Sequence, residues 1–570
     1  MSENGKRSLK VVIVGGVAGG ATAAARLRRL SESAEIVVFE RGEHISFANC
    51  GLPYHVGGII EDRAKLLLMT PARMAERFRI DVRVRHEVLR IHRAAREVEV
   101  RNLQTGEVFL EPYDHLVLST GAAPIRPPLP GIELPQLLTL RNLADMDAII
   151  AQAAQHPKGH AVVVGGGFIG LELADNLRHR GLRVTLVEMG DQVMPPLDRE
   201  LAALLHAHLR EKGVTLRLSE AVTGFAEEGD GVKVSLRSGD TLSADFVCLS
   251  IGVKPESQLA LEAGLETGAR GGVKVDARLL TSDPDISAIG DAAEVPAMGG
   301  TEQAWVPLAG PANRQGRLVA DRLAGTPVAY AGIQGTGIAK VFELTAGSTG
   351  KNEAALQRAG VPFHSVVMHG ASHAGYYPGA EPLTLKLLFS PEGRILGAQG
   401  VGREGVDKRL DVIATAMRLG ADVFALAELE LAYAPPFSSA KDPVNILGYI
   451  AGNLLRGETR FVSWRDVLQQ KDGGALLVDV REPSERAQDK LEGSVHIPLG
   501  ELRARHGELP KDRPLYVYCA GGQRSHTAVR LLGQLGYDAH NISGGMRTVS
   551  AIRDDLAAVM QMGAGRAAGR

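Results

Sequence analysis

The chain has 570 residues, 45% of them hydrophobic and 23% charged, which is typical of a globular protein with three or four domains. A net charge of −2 without a lysine- or arginine-rich block argues against nucleic acid as a partner, and no apolar run is long enough to predict a membrane span. The three cysteines, Cys50, Cys248 and Cys519, are too few and too far apart for a disulfide framework or a zinc site, so we expect no metal and a reducing, cytoplasmic compartment.

The first half of the chain contains one sequence pattern twice. Residues 11–30 read VVIVGGVAGGATAAARLRRL and residues 161–180 read AVVVGGGFIGLELADNLRHR, and each stretch predicts a buried strand, a glycine turn and a helix. A second strand follows each helix and ends in Glu40 or Glu188. A glycine turn lets the backbone approach a pyrophosphate at the helix N-terminus, and the acid can bind a ribose hydroxyl, so the pattern predicts two dinucleotide-binding units.

The two copies differ in how fully they match the G-x-G-x-x-G motif. The second copy matches it completely, whereas the first has Val17 at the middle glycine position. One such motif could be an ordinary tight turn, but two motifs that each precede a well-spaced acid favour dinucleotide binding. Because the Glu188 carboxylate would repel a 2′-phosphate, we expect NADH to be preferred over NADPH. The predicted cofactor-binding residues are Gly15, Gly19, Gly20, Glu40, Arg41, Thr120 and Gly121 in the first unit, and Gly165, Gly167, Gly170, Glu188 and Gly252 in the second.

A third stretch, DPDISAIGDAAEV at residues 283–295, places Asp291 directly after a predicted strand. By itself this is a common strand and turn. After two nucleotide-binding patterns, however, an acid in this place predicts a contact with the ribityl or pyrophosphate part of a flavin.

Cys50 lies in ISFANCGLPY, residues 45–54, and has no second cysteine near it in the sequence. A buried lone cysteine is usually inert, and Cys248, in the apolar stretch ADFVCLSIG, is interpreted as such a structural residue. The small residues around Cys50 instead predict a turn at the start of a helix, where we expect the pKa of the thiol to be lowered. A thiolate there could form a mixed disulfide with a small-molecule thiol in place of a second protein cysteine.

The C-terminal region contains a second candidate nucleophile, Cys519. The stretch PLYVYCAGGQRSHTAVRLLG predicts a strand, the cysteine, a glycine-rich loop with Arg524, and then a helix. Backbone N–H groups at such a helix N-terminus lower the pKa of a thiol and stabilise an anionic sulfur. Phosphatases use a related loop that is one residue longer, so the spacing from Cys519 to Arg524 favours a sulfur carrier over a phosphatase.

Together with SFANCGLPY, AIGDAAE, AGPANRQGR, HAGYYPG and YAPPFSSAKDP, these patterns resemble the pyridine-nucleotide flavin disulfide reductases over nearly the whole chain. More narrowly, the chain is similar to coenzyme A-disulfide reductases with a fused rhodanese domain, a group that includes NADH-dependent persulfide reductases. The resemblance implies an α/β fold class with two Rossmann-like nucleotide-binding domains, an α+β dimerisation domain and a C-terminal α/β rhodanese domain. The predicted boundaries are 1–120 with 253–325 for the FAD-binding domain, 121–252 for the NAD(P)H-binding domain, 326–450 for the dimerisation domain, 451–460 for a linker and 461–565 for the rhodanese domain.

The resemblance also implies cofactors, partners and catalytic residues. FAD would bind the first unit and NADH the second, coenzyme A would bind as a thiol substrate, and two chains would form a head-to-tail homodimer with shared active sites. Cys50 would be the redox cysteine, and Tyr376 and Tyr433 would reach it from the partner chain and protonate the leaving sulfur. In the rhodanese domain, Cys519 would carry a persulfide and Arg524 would complete its loop.

A further set of residues falls at or near positions that line the coenzyme A channel of the family. At the position of Arg26, a glutamine also occurs in the family. The set consists of Thr22, Arg26, Arg29, Ser46, Asn49, Asn313 and Lys441.

These expectations combine into a reductase of persulfides, polysulfides and coenzyme A disulfide that releases sulfide. The fused sulfur carrier favours persulfides as substrates, because a plain disulfide reductase has little use for it. Two alternatives stay open at this point. One is an NADH oxidase or peroxidase in which Cys50 cycles through a sulfenic acid, and the other is a sulfurtransferase whose flavin serves as a redox sensor.

Overall fold

The computed structural model describes residues 8–300, 302–469 and 474–567. The chain forms two compact units. Unit 1 runs to Val187 and includes Ala221–Gly335, and unit 2 consists of Glu188–Glu220 together with the chain from Thr336 onward. Within the described ranges, no helix has the length and apolar character needed to cross a lipid bilayer.

Unit 1 begins with a parallel sheet in the strand order β19-β7-β1-β2-β3. Its central strand is buried because Val11, Val12 and Ile13 are at most 1% exposed. A separate antiparallel sheet pairs β4, β5 and β6. The elements up to residue 124 are β1 (Lys10–Val14), α1 (Ala18–Leu30), β2 (Glu35–Glu40), α2 (Leu52–Val56), α3 (Pro71–Phe78), β3 (Asp81–Val84), β4 (His86–His92), β5 (Glu97–Asn102), β6 (Val108–Pro112), β7 (His115–Leu118) and β8 (Ala122–Pro124).

The second copy of the pattern repeats this arrangement. Strand β10 pairs in parallel with β11 on one side and β16 on the other, as β1 does with β2 and β7. The elements of residues 125–255 are β9 (Leu137–Leu138), α4 (Leu143–Gln155), β10 (His160–Val164), α5 (Phe168–His179), β11 (Arg183–Val187), α6 (Arg199–Glu211), β12 (Val214–Arg217), β13 (Val222–Glu228), β14 (Gly231–Leu236), β15 (Thr241–Ala244), β16 (Phe246–Leu249) and β17 (Val253–Pro255).

The chain then completes the first sheet. Strand β19 pairs in parallel with β7, and helix α8 packs against α1. The elements of residues 256–335 are α7 (Gln258–Glu262), β18 (Val273–Lys274), β19 (Ile286–Ala288), β20 (Ala293–Pro296), β21 (Gln303–Ala304) and α8 (Ala309–Leu323).

The middle of unit 2 is an antiparallel sheet in the order β22-β23-β26-β25-β24, against which α10 and α12 pack. Helix α12 continues to Leu455, so the predicted linker at 451–460 begins inside a helix. The elements are β22 (Gly337–Val341), β23 (Leu344–Gly350), α9 (Glu353–Arg358), β24 (His364–Ala371), β25 (Pro382–Phe389), β26 (Ile395–Gly402), α10 (Val406–Arg418), α11 (Val423–Glu428) and α12 (Pro443–Leu455).

The C-terminal part of unit 2 is a parallel sheet in the order β27-β31-β30-β28-β29. Its central strand β30 is buried, and Cys519 follows its last residue. The elements are β27 (Arg460–Val462), α13 (Trp464–Leu468), β28 (Leu476–Asp479), α14 (Pro483–Gln488), β29 (Val495–His496), α15 (Leu499–Arg505), β30 (Leu515–Tyr518), α16 (Gln523–Gln534), β31 (Ala539–Ile542) and α17 (Gly545–Ala567).

Polar contacts connect this C-terminal sheet to the rest of unit 2. The backbone N–H of Val367 donates to Ser543 Oγ at 3.0 Å, and His369 Nε2 lies 2.8 Å from Thr548 Oγ1. Arg465 Nη1 forms an ion pair with Glu353 at 2.7 Å. Because these contacts come from β24, α9, α13 and α17, the sheet is fixed to its neighbour instead of being joined only by the chain.

Candidate functional site

The two glycine turns have the same construction. Gly15 has φ +100° and Gly165 has φ +106°, which favours glycine at both positions. A Cβ on Gly20 would lie 1.9 Å from the carbonyl oxygen of Gly15, and one on Gly170 would lie 1.9 Å from that of Gly165. Each helix therefore starts in direct contact with its turn, and the backbone N–H groups at its N-terminus are available to a phosphate.

The acids that end the second strands bind neighbouring backbone groups. Glu40 accepts hydrogen bonds from the N–H groups of Gly16 at 2.9 Å and Gly42 at 2.8 Å. Glu188, the first residue of unit 2, accepts one from Gly190 at 2.7 Å. These bonds hold each carboxylate at the end of its strand, where a dinucleotide ribose is bound in such folds.

Two of the predicted cofactor residues, Arg41 and Thr120, contact Glu256, a residue that the sequence did not point to. Arg41 and Arg141 form ion pairs with the Glu256 carboxylate at 2.6 and 2.7 Å, and Thr120 Oγ1 donates to the Glu256 carbonyl at 2.6 Å. Although burial alone would raise the pKa of Glu256, the two arginines lower it. Among the remaining predicted glycines, a Cβ on Gly19 would lie 2.9 Å from Ser119 Oγ, whereas Gly121 and Gly252 have φ +76° and +112°, which favours glycine there.

Asp291 lies in a short 3₁₀ turn between β19 and β20. Burial raises the pKa of its carboxyl to about 6, and Trp305 Nε1 donates to its backbone carbonyl at 2.8 Å. Among the described residues no side-chain or backbone donor reaches the carboxylate itself. A hydroxyl of a ribityl chain is a donor of the kind that this carboxylate lacks, so the residue fits the predicted flavin.

Cys50 lies in a 3₁₀ turn, Asn49–Gly51, that leads directly into α2. Helix α2 packs against α4 and α5, and α5 is the helix that follows the second glycine turn. Tyr54 on α2 donates a hydrogen bond to Glu172 on α5 at 3.2 Å. The exposed thiol of Cys50 therefore lies just before α2, a helix that follows the first nucleotide-binding pattern in the sequence and packs against α5 of the second.

The predicted helix start at Cys50 is correct, but the expected lowering of its pKa is wrong. Partial desolvation raises the pKa of the thiol, and the carboxylates of Glu172 and Asp291 raise it further. The short turn and α2 do not offset these two acids. Glu172 has a perturbed pKa as well, because burial raises it to about 7.

The predicted coenzyme A residues are only partly brought together. Thr22 Oγ1 donates to Asn313 Oδ1 at 2.5 Å across α1 and α8, and Arg26 on the next turn forms an ion pair with Asp321 at 2.7 Å. Ser46 has φ +45°. The other members of the set, Arg29, Asn49 and Lys441, are exposed, and Lys441 belongs to unit 2.

In unit 2 the structure brings the two predicted tyrosines together. The hydroxyls of Tyr376 and Tyr433 lie 2.8 Å apart although both residues are exposed, at 76% and 48%. The hydrogen bond to Tyr433 raises the pKa of Tyr376. Tyr377 packs edge-on against the buried ring of His373.

Cys519 is 2% exposed and lies in the predicted cradle of N–H groups. The N–H of Gly522 donates to its Sγ at 3.1 Å, and the hydroxyl of Ser525 lies 3.4 Å from the same atom. Arg524 binds Glu485 with both terminal nitrogens at 2.6 Å. The loop can thus stabilise a negatively charged sulfur with backbone and hydroxyl donors.

Glu172, Tyr54, Glu256 and Glu485 are site residues that the sequence analysis did not single out. Glu172 follows Gly170 by two residues, and Glu485 lies six residues after Asp479, the last residue of β28. An acid so close to each predicted site was the available signal.

Comparison with known proteins agrees with this geometry. Residues 9–316 match the family model of pyridine nucleotide-disulphide oxidoreductases, residues 337–443 match the dimerisation domain of the same family, and residues 463–551 match the rhodanese-like domain. These matches confirm the predicted fold class.

Individual relatives cover most of the chain. The reduced form of Bacillus anthracis CoADR-RHD is 49% identical with a TM-score of 0.94, over 96% of this chain and 98% of that one. The NAD-dependent persulfide reductase from A. fulgidus is 37% identical with a TM-score of 0.89, over 95% of this chain and 100% of that one. The coenzyme A disulfide reductase of Staphylococcus epidermidis is 36% identical over 444 residues, which is 78% of this chain and 99% of that protein.

Proposed function

Because the chain is an oxidoreductase of the pyridine nucleotide-disulphide oxidoreductase family, we propose that it uses FAD and NADH to reduce persulfides, polysulfides and coenzyme A disulfide. For a persulfide the reaction is NADH + H⁺ + RSSH → NAD⁺ + RSH + H₂S. The names of the persulfide reductase and disulfide reductase relatives support this substrate class. The match to the dimerisation domain supports a homodimer with shared active sites.

The observation that carries the proposal is the presence of two unpaired thiols in two different settings. Cys50 is exposed at the junction of the two nucleotide-binding patterns, and Cys519 is buried in a cradle of hydrogen-bond donors. All three cysteines are free, and the third, Cys248, is fully buried in β16. A small-molecule thiol would therefore supply the second sulfur at each site.

Different residues of the first site would bind different parts of the two cofactors. The turns at Gly15 and Gly165 would bind the pyrophosphates of FAD and NADH, Glu40 and Glu188 their riboses, and Asp291 the ribityl chain. When bound, FAD would pass the electron pair of NADH to sulfur.

Cys50 would form a mixed disulfide with coenzyme A and return as a thiolate when that bond is reduced. Thr22, Arg26 and Asn313 would contact the coenzyme A chain, and Arg26 would have to exchange Asp321 for a phosphate. The Tyr376–Tyr433 pair of a second chain would hold and protonate the leaving sulfur.

In the rhodanese domain, Cys519 would accept the outer sulfur of a persulfide and pass it toward Cys50 on a mobile thiol such as coenzyme A. The polar contacts that fix this domain to the rest of unit 2 favour a diffusing carrier over a swinging domain.

The test is NADH oxidation by the wild type, Cys50→Ser and Cys519→Ser against coenzyme A disulfide, coenzyme A persulfide, glutathione persulfide and polysulfide. We expect Cys50→Ser to lose activity with every sulfur substrate and Cys519→Ser to lose it selectively with persulfides. Cys248→Ser is the matched control and should retain activity. Full persulfide reduction without Cys519 would remove the relay, and rapid NADH turnover with oxygen or peroxide would favour an oxidase or peroxidase.

A further inference from the structure

Arg524 is the charged residue of the loop Cys519–Ser525, which reads CAGGQRS. The positive charge of Arg524 is paired with the Glu485 carboxylate. Nη1 and Nη2 each donate a hydrogen bond to one oxygen of that carboxylate, both at 2.6 Å. Such a bidentate pair fixes the guanidinium and neutralises it. The two side chains are about equally exposed, at 33% and 31%, so the pair is partly accessible to solvent.

The fold dictates this pairing. Glu485 belongs to the segment after β28 and Arg524 to the segment after β30, and these strands are parallel neighbours whose carboxyl ends lie side by side. The Glu485 carboxylate is also held by the N–H of Glu482 at 3.1 Å, as in a capping box. Asp479, at the end of β28, pairs with Arg481 at 2.8 Å.

We infer that Glu485 is a specificity-determining residue, which selects persulfides of organic thiols, whose reacting S–S⁻ group carries one negative charge, and discriminates against small inorganic sulfur donors such as thiosulfate, which brings two negative charges to the loop. Arg547 contributes a further, exposed cation next to the loop, where its N–H donates to Ala520 at 3.0 Å. Arg547 pairs with no acid among the described residues, and one such cation suits a single negative charge on the reacting sulfur. A dianion would also meet the Glu485 carboxylate. The inference rests on the sulfur-carrier role of Cys519 in the proposed function.

The two donors load the same cysteine through different leaving groups. With a persulfide, Cys519–S⁻ + R–S–S⁻ → Cys519–S–S⁻ + R–S⁻, and with thiosulfate, Cys519–S⁻ + S–SO₃²⁻ → Cys519–S–S⁻ + SO₃²⁻. In each reaction one sulfur–sulfur bond breaks and one forms, and charge is conserved. Only the reaction with thiosulfate brings a dianion to the loop Cys519–Ser525, and it releases a second dianion, sulfite.

The experiment uses the full-length, flavin-loaded enzyme with thiosulfate or glutathione persulfide as donor and cyanide as acceptor, and measures thiocyanate. The background is the rate with Cys519→Ser. We expect Glu485→Gln to raise kcat/KM for thiosulfate on the order of tenfold, mainly through a lower KM, because a like charge is removed near the dianion. The value for glutathione persulfide should stay within about twofold.

Two further variants separate charge from structure. Glu485→Asp keeps the charge and should keep the wild-type ratio of the two donors. Arg524→Gln leaves the carboxylate without its partner and should shift the ratio further toward the persulfide. Glu508→Gln is the matched control, since Glu508 pairs with both Nε and Nη2 of Arg505 at 2.7 and 2.9 Å but precedes β30, and it should change neither value.

An unchanged ratio in Glu485→Gln, or a Glu485→Asp variant that behaves like Glu485→Gln, would overturn the inference. If NADH-dependent persulfide reduction is absent while the ratio shifts as expected, the proposed function fails and the role of Glu485 stands. If NADH-dependent reduction is present and the ratio does not shift, the opposite holds.

Discussion

Burial and a hydrogen bond from a tyrosine hydroxyl shift the pKa of the Glu172 carboxyl in opposite directions. Burial is the larger effect and raises the pKa to about 7, while the hydrogen bond from Tyr54 lowers it. The folded protein therefore binds this proton more tightly than the unfolded chain, whose glutamate pKa is near 4.3. The stability that it contributes is complete at pH 4 and is lost as the pH rises through 7.

We predict that the stability of Glu172→Gln relative to the wild type is greater at pH 8.5 than at pH 5, by roughly 2 kcal/mol. Glutamine keeps the shape and the hydrogen bond to Tyr54 but never carries the buried charge. Urea unfolding of the holoenzyme at the two pH values measures the difference. Glu107→Gln, at an exposed position, is the control and should show no pH-dependent difference; the same difference at both pH values for Glu172→Gln would contradict the prediction.

The Tyr376–Tyr433 pair predicts non-additive kinetics. Each hydroxyl is the partner of the other at 2.8 Å, so removing one leaves the second without its orienting bond. We expect Tyr376→Phe and Tyr433→Phe each to lower kcat with coenzyme A disulfide roughly a hundredfold, and the double variant to lose little more. Tyr377→Phe, whose ring packs on His373, should retain activity. Multiplying losses in the double variant would mean that the hydroxyls act independently.

The sequence was informative about residues whose role is local. The turns and strand ends that carry Cys50, Cys519 and Asp291 were predicted from a few neighbours, because such local structure is encoded nearby in the chain. The pKa of Cys50 was predicted in the wrong direction, because it depends first on desolvation and then on the charges of Glu172 and Asp291, both of which arise only from tertiary packing. Lys386 gave no signal, since a lysine in a strand is usually exposed, yet this one is 0% exposed.

At the scale of elements, the glycine turns offer a matched comparison. A Cβ at Gly170 would lie 1.9 Å from a backbone carbonyl oxygen, whereas one at Gly167 would meet none of the described atoms within 4 Å. We predict that Gly170→Ala lowers the free energy of unfolding by about 3 kcal/mol, since strand and helix must separate, and that Gly167→Ala changes it by less than about 1 kcal/mol. Chemical denaturation of both variants measures this, and equal losses would contradict it.

The same turns explain why the repeated fold was predictable in outline. The strand, turn and helix of each copy are contiguous, so periodicity and glycine spacing suffice to predict them. The segment Glu188–Glu220 could not be assigned in this way. Its helix α6 packs on α17, more than three hundred residues later in the chain, and it belongs to unit 2.

Within unit 2 as a whole, buried ionic groups connect segments that are distant in sequence. The ammonium of Lys386 contacts Asp198 at 2.9 Å, Glu200 at 2.5 Å and Glu353 at 2.6 Å. Burial alone would lower the pKa of Lys386, but the three carboxylates raise it. Buried ion pairs stabilise little compared with apolar packing, but breaking one is costly, so they favour one arrangement of the segments over others.

Asp555 on α17 tests whether unit 2 unfolds as one body. Its carboxylate is 2% exposed and binds Arg199 at 2.5 Å, Arg210 at 2.9 Å and His206 at 3.0 Å, all on α6. Burial alone would raise its pKa, but these partners lower it to about 2. The contribution of Asp555 to stability is therefore complete above about pH 5 and, unlike that of Glu172, does not change between pH 6 and pH 8.

We predict that Asp555→Asn destabilises the protein by about 3 kcal/mol, because the buried Arg199 and the partly buried Arg210 lose their counter-charge. Since α17 belongs to the C-terminal sheet, that sheet should then melt ahead of the rest of unit 2, and differential scanning calorimetry should resolve a separate transition at lower temperature. Asp554→Asn is the matched control, because the neighbouring Asp554 contacts only Arg553 at the surface among the described residues, at 3.2 Å, and its loss should leave a single transition. An Asp555→Asn variant that still melts in one step at the wild-type temperature would mean that the α6–α17 contact does not hold the C-terminal sheet in place.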